Sequence, residues 1–199
     1  RHGQTDWNVN KTVMGRLPIP LNAMGRGQAE KLAERLNGIT VQAIFTSPVL
    51  RALETAEILA KSWNGIEVVH DEGLAEIDYG EWVKQSFKLV HEKYADIWKN
   101  YCETPDCAQF PGGESLFTAR ARVAAVVDRV VKEYDNGFVA LVSHADIVKL
   151  ALLHIFKLPL SFLHSFSIDN CASLIIRYDP VMGPRLVCSN HLNGFGKDL

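Results

Sequence analysis

The sequence predicts a single α/β domain with a mostly parallel sheet. Three observations carry this. Short apolar runs alternate with longer stretches of helical periodicity. The most apolar run, Phe138-Val139-Ala140-Leu141-Val142, contains no polar residue, as expected of a central parallel strand covered on both faces. The 199 residues are 47% hydrophobic and 22% charged, which suits one domain with a substantial core.

The elements follow in order. A helix is expected from about Ala23 to Asn37, with Asn22 as its cap, Ala29, Leu32, Ala33 and Leu36 as its apolar stripe and Gly38 as its stop. Ala43 to Thr46 reads as a short buried strand. Ser47-Pro48 then predicts a helix start, serine capping and proline in the first turn, with the helix reaching about Lys61. Ile66 to Val69 reads as a second strand. Residues 84–101 read as a helix with Phe87, Val90, Tyr94 and Trp98 at helical spacing, and Pro105 to Gly113 as a loop. A long helix is expected from Ser115 to about Tyr134, where Leu116, Ala119, Val123, Val127, Val130 and Val131 share a face. After the strand at 138–142, a helix is expected from about Asp146 to Phe156. Ala172–Tyr178 and Arg185–Asn190 read as an antiparallel pair of strands joined by a turn at 180–184. No internal repeat or low-complexity linker interrupts the chain.

Composition narrows the function. A net charge of −2 gives no reason to expect nucleic acid or an anionic membrane surface as partner. No apolar run approaches the roughly 18 residues of a membrane span. No signal peptide is visible, and four cysteines make no dense framework, so a reducing, cytoplasmic location is expected. Cys102 and Cys107 have C-x4-C spacing with no second pair nearby, so they read as reduced structural thiols and not as a metal site.

The residues that suggest chemistry lie where strands should end, which is where open α/β sheets bind ligands. His144 follows the strand at 138–142, Arg51 lies one turn into the helix after 43–46, and Glu76 lies beyond 66–69. Arg1-His2-Gly3 would follow a first strand if one precedes it. Together they suit a phosphoryl group. Arg1 and Arg51 offer planar forks for its oxygens. A neutral imidazole at His2 can attack phosphorus, and adjacent guanidiniums disfavour its protonation. His144 can donate to an equatorial oxygen. Glu76 can supply the leaving group's proton and afterwards activate water. Such a pocket needs no metal and no cofactor.

Six motifs sharpen this reading: Arg1-His2-Gly3-Gln4-Thr5-Asp6-Trp7-Asn8, Gly15 to Gly25, Ser47 to Ala56, Leu74-Ala75-Glu76-Ile77-Asp78-Tyr79-Gly80-Glu81-Trp82, Pro111-Gly112-Gly113-Glu114-Ser115, and Val142-Ser143-His144. In this order and spacing they resemble the histidine phosphatase superfamily, with its phosphoglycerate mutase-like fold, over nearly the whole chain. The resemblance implies a three-layer α/β/α sandwich. It implies His2 as phosphate acceptor, Arg1, Arg51 and His144 as its pocket, Glu76 as proton donor, and Asn8 and Thr5 as residues lining the site. Ala145 replaces a more usual glycine, and Val83-Lys84 stands where Glu-Gly commonly follows the tryptophan. Glu114 is read as capping the helix at 115, and Trp7 and Trp82 as wall or core. His70, His91, His154, His164 and His191 receive no role.

Within the family, the Pro-Gly-Gly-Glu-Ser loop resembles the α-ribazole phosphatase branch. No arginine occurs between Arg51 and Arg120, and Lys84, Lys88, Lys93 and Lys99 read as a solvated face. A metal-independent phosphatase for small phosphate monoesters is therefore expected, with phosphoglycerate mutase as the alternative. The expected partners are a small phosphate ester and, at most, a second copy in a homodimer. The family sets the Arg-His-Gly motif at the end of a central strand, so some five to ten residues ahead of Arg1 are expected to form a strand beside 138–142 in the single domain 1–199.

Overall fold

In the computed structural model, residues 1–134, 136–179 and 181–189 are described. The chain runs α1 (Asp6–Val9), α2 (Ala23–Arg35), β1 (Val41–Thr46), α3 (Leu50–Ser62), β2 (Val68–His70), α4 (Phe87–Lys93), α5 (Ala95–Glu103), α6 (Leu116–Glu133), β3 (Phe138–Val142), α7 (Ala145–Ile155), β4 (Leu174–Asp179) and β5 (Gly183–Ser189). β1 lies between β2 and β3, parallel to both, with Phe45 opposite Val69 on one side and Leu141 on the other. β4 and β5 form a separate antiparallel ribbon, as the sequence suggested.

The pleat of β1 explains the layers. Successive side chains point to opposite faces. Ile44 joins Leu32, Ala52, Ala56 and Leu59 under α2 and α3. Ala43 and Phe45 face the other way, into a larger core with Val123 and Val126 of α6 and Ile147 and Leu150 of α7. The result is the expected helix–sheet–helix sandwich. The aromatic part of the larger core holds Trp82, 1% exposed, against Tyr79, Trp98, Tyr101 and Phe110. Trp82 is thus core, as read.

Several elements differ from their sequence reading. The helix expected at 84–101 is two helices, broken at Tyr94, whose backbone leaves the helical region at φ −122°, ψ 43°. Ser47 does not cap α3. That helix starts at Leu50 behind Val49, which has no side-chain cap, and Ser47 is used by the site instead. β2 runs Val68–His70, starting two residues later and ending one later than read. On α6, Val131 is exposed and Val126 takes its place in the core. Of the last turn, Asp179 Oδ1 accepts from the amides of Val181 and Met182 at 2.9 and 2.8 Å, while Pro180, Asn190 and His191 lie outside the described residues.

β3 is less covered than expected: Phe138 is exposed and residues 139–141 are half-buried. The reason is an apolar groove between β3 and β4, lined by Val139, Leu141, Leu152, Leu174 and Ile176. At its end Arg1 and His2 bridge the two sides. The Arg1 nitrogen donates to the Ala172 carbonyl at 3.1 Å, the His2 amide to Ser143 at 2.9 Å, and the Cys171 amide to the His2 carbonyl at 3.2 Å. Among the described residues, no strand pairs with the β3 edge facing away from β1.

The segment carrying His2 is seated on the first turn of α2. A Cβ on Gly25 would lie 2.1 Å from the Gln4 carbonyl oxygen and 2.6 Å from its nitrogen, and one on Gly3 would lie 2.5 Å from the Gly25 oxygen. These are backbone atoms and cannot turn aside. Gly25→Ala is therefore expected to destabilise the protein by about 3 kcal/mol through overpacking. Thermal unfolding should show a fall of roughly 6–12 °C.

Candidate active site

The site forms at the carboxyl ends of β1 and β3. These strands hand over to the tight segments Ser47-Pro48-Val49 and Ser143-His144, held together by the Ser47 amide donating to the Val142 carbonyl at 2.9 Å. His2, Arg51, Glu76 and His144 converge there, all buried, with His144 and Arg51 at 0% exposure. The His2 and His144 rings lie 5.2 Å apart, tilted by 58°.

The hydrogen bonds fix the state of His2. Its Nδ1 lies 2.7 Å from the Gly3 carbonyl. A carbonyl only accepts, so Nδ1 carries the proton and Nε2 keeps its lone pair. Arg51 Nε donates toward that Nε2 at 3.2 Å. Burial first, then Arg51 and Arg1, hold the His2 pKa well below the ordinary histidine range. The imidazole is therefore neutral at neutral pH.

His144 has the opposite arrangement. Its Nε2 lies 2.8 Å from Ser47 Oγ, which already accepts from the Val49 amide at 3.2 Å. The hydroxyl proton can then be donated to Nε2, the arrangement that places the ring proton on Nδ1. Nδ1 is buried without a hydrogen-bond partner and sits 3.7 Å from Glu76 Oε2. It is a donor aimed into the pocket. Burial, with Arg51 and His2, keeps this ring neutral too.

The guanidiniums are locked by carbonyls. Arg51 donates to Gly15 at 2.8 Å and Leu17 at 3.3 Å, and lies 3.6 Å from Glu76 Oε2. Arg1 donates to the Ile168 carbonyl at 2.6 Å, and its buried Nε has no partner. Two guanidiniums and two neutral imidazoles thus face one buried carboxyl. Such an excess of positive charge away from water favours a bound anion.

Glu76 Oε1 accepts from the Ile77 amide at 2.9 Å. Burial raises its pKa to about 7, aided by Asp146 and opposed by Arg51. Asp146 is a group that sequence reading missed. It is 6% exposed, and burial would raise it, but Lys149 at 3.0 Å and the hydroxyls of Tyr101 and Tyr79 at 2.5 and 2.8 Å keep it below its ordinary range. It is therefore a buried negative charge acting on Glu76.

Thr5 and Asn8 form the capping box of α1. Thr5 Oγ1 accepts from the Asn8 amide at 3.1 Å, and Asn8 Oδ1 accepts from the Thr5 amide at 3.0 Å. Thr5 is buried and serves the turn, while Asn8 is half-buried. Asn170, another group missed from sequence, donates to Asn8 Oδ1 at 3.3 Å and to the His2 carbonyl at 3.1 Å. Thr55 accepts from the Gly3 amide at 3.1 Å. Ser47 in its motif was a visible signal; Asn170 and Asp146 carried none.

Lys84 adopts the left-handed conformation at φ +71°, the geometry a glycine would take without cost, with its amide donating to the Val13 carbonyl at 2.9 Å. Val83 packs against Gly15, where an added Cβ would lie 2.7 Å from its Cγ2. Lys84, Lys88, Lys93 and Lys99 are exposed, as expected of a solvated face. Glu114 does not cap α6; Ser115 does, accepting from the Thr118 amide, and Glu114 turns toward Arg16 and Arg122. Cys102 and Cys107 are free and exposed. No helix among the described residues is long and apolar enough to cross a membrane.

The family model of the histidine phosphatase superfamily (branch 1) matches residues 1–191. The chain belongs to this superfamily. It is 31% identical to phosphoserine phosphatase 1 of Hydrogenobacter thermophilus over 90% of this chain and 84% of that protein. Over 89% and 82% it is 29% identical to a probable phosphoglycerate mutase GpmB of Proteus mirabilis. The solved α-ribazole phosphatase from Shigella flexneri superposes with a TM-score of 0.88, covering 100% of this chain and 97% of that one, at 23% identity, a likeness of fold. The family and its phosphatase-named members support a phosphatase activity for this chain.

Proposed function

We propose that the protein hydrolyses small phosphate monoesters through a phosphohistidine on His2. The observation that carries this is the unprotonated Nε2 of a neutral imidazole, held against Arg51 in a pocket with two guanidiniums and the unpartnered Nδ1 of His144. The Nε2 lone pair attacks phosphorus as the ester P–O bond breaks. The electron pair leaves on the alcohol oxygen, which takes the proton of Glu76. Arg1, Arg51 and His144 stabilise the equatorial oxygens, with the Asn8 side-chain Nδ2 as a further donor. Glu76, now a carboxylate, removes a proton from water. The water oxygen bonds to phosphorus, and the N–P pair returns to His2. The guanidiniums supply the charge stabilisation within this scheme, so hydrolysis should persist with a chelator present.

Phosphoglycerate mutase is the second reading, favoured by the name of the Proteus mirabilis relative. A mutase must grip a substrate carboxylate and keep water from its intermediate. Lys84, Lys88, Lys93 and Lys99 are all exposed, which favours hydrolysis. Phosphoserine is the first ester to test, since a relative bears that name. A panel of phosphoserine, sugar phosphates, 3-phosphoglycerate and p-nitrophenyl phosphate, ranked by kcat/KM, should show release of inorganic phosphate with chelator. Interconversion of 2- and 3-phosphoglycerate outpacing phosphate release would overturn the phosphatase reading.

A further inference from the structure

Glu76 sits on a segment without the repeating main-chain bonds of a helix or strand. After a single turn at Glu72–Leu74, residues 75–79 form neither helix nor strand. A group that must meet a leaving oxygen needs placing to about 0.5 Å. The fixing comes from outside, through main-chain atoms. Arg122 of α6 donates to the carbonyls of Gly73 at 2.9 Å, Ala75 at 2.7 Å and Glu76 at 3.2 Å. Arg16 donates to the same Glu76 carbonyl at 2.9 Å. Glu114 binds both arginines, taking Arg122 on its two oxygens at 2.8 and 3.1 Å and Arg16 at 3.1 Å. The same carboxylate accepts from the Asp78 amide at 2.9 Å.

Two residues apart, the carbonyl of 76 and the amide of 78 are thus tied to one charge cluster. The cluster rests on an 18-residue helix. It also reaches the phosphate side, because Arg16 lies between Gly15 and Leu17, whose carbonyls hold Arg51. Gly73 completes the seat: a Cβ there would come within 2.3 Å of Val126 Cγ2 and 3.0 Å of the Arg122 oxygen.

We propose that Arg122, Glu114 and Arg16 are positioning residues that set Glu76 at the leaving-group oxygen. The inference rests on the proposed role of Glu76 as proton donor. Arg122 and Arg16 bond the Glu76 carbonyl and Glu114 the Asp78 amide, all main-chain atoms and none of them the Glu76 carboxyl group. Although burial works against it, the bonds from Arg122 and Asp78 hold the Glu114 carboxyl below its ordinary range. The clamp therefore stays ionised while Glu76 titrates among Arg51, Asp146, Arg1 and His144.

The test exploits leaving-group chemistry. A p-nitrophenolate departs without a proton; the alkoxide of phosphoserine does not. kcat/KM, which covers only the steps through phosphorylation of His2, is measured for both esters in Glu114→Gln, Arg122→Lys and the more exposed Arg16→Gln. Misplacement by about 1 Å costs on the order of 10²-fold. The expected result is a fall of about 10–100-fold with phosphoserine against less than about 3-fold with p-nitrophenyl phosphate, smallest in Arg16→Gln. A proportionate fall with both esters, or no fall in variants that unfold at the parent temperature, overturns the proposal. Glu76→Gln, run in parallel, separates the two readings. If it discriminates between the esters and the clamp variants do not, the clamp alone fails. If it treats the esters alike, the acid role fails, and the clamp with it.

Discussion

Replacing His2 with alanine is expected to lower hydrolysis of every phosphate monoester by about 10³-fold or more, and to leave no phosphorylated protein in a quench kept alkaline to preserve the N–P bond. The magnitude follows from what is lost. In the native site Nδ1 is tied to Gly3, so the ring cannot turn, and Nε2 has no other task than to present its lone pair beside Arg51. Among the described residues within this pocket the other imidazole is no substitute. His144 Nε2 is bound to Ser47, and the tautomer that follows puts a proton on the Nδ1 facing the site. Its lone pair faces away from the substrate. His2→Ala should still bind inorganic phosphate, because Arg1, Arg51 and His144 remain, and binding can be followed by its protection against thermal unfolding. Hydrolysis at a large fraction of the parent rate would end the phosphohistidine scheme. Retained hydrolysis without a trapped intermediate would point to direct attack by water.

How much of this was legible from sequence depended on where each interaction is written. The sandwich was legible because β1, β3 and the helices around them carry their burial in their own periodicity. The converging site residues were legible because each sits in a dense local motif, with Arg51 and His144 just beyond the ends of β1 and β3. What escaped depended on pairing across the chain. Asn170 supports His2 and Asn8 across more than 160 residues. Arg122 looked like one polar position on an amphipathic helix, and only the fold brings the carbonyls of 73–76 to it. Asp146 looked like an acidic first-turn residue, favourable to any helix start; only packing shows it buried beside Tyr79 and Tyr101. Ser47 and Glu114 were misread in one direction. Both stand before a helix, and local rules assign such residues to capping, whereas tertiary partners claimed them. The break at Tyr94 was invisible because the apolar spacing continues through it.

The second large effect concerns Glu76. Glu76→Gln should lower kcat/KM for alkyl phosphates by about 10²–10⁴-fold, the usual worth of a positioned proton donor, while sparing that for p-nitrophenyl phosphate. Turnover of the latter should nevertheless slow. Glutamine cannot deprotonate water, so one equivalent of p-nitrophenolate should appear as a burst while phosphoprotein accumulates. The pH dependence has a definite sign. Burial holds the carboxyl near a pKa of about 7, and only the protonated form donates, so kcat/KM for alkyl esters should fall as pH rises through that value. A bound phosphate dianion disfavours the carboxylate further and moves the corresponding limb of kcat to higher pH. Stability follows the same proton. In the unfolded chain the group ionises near its ordinary value of about 4.3. The folded protein keeps the proton until about 7, so the contribution is complete below the lower value and is lost as pH rises through the upper one. Between pH 5 and 8 the melting temperature of Glu76→Gln should therefore decline less than that of the parent, because glutamine has no proton to lose. Parallel declines, together with an unshifted alkaline limb in the parent's rate profile, would mean that Glu76 is ionised throughout and that the leaving group takes its proton from elsewhere.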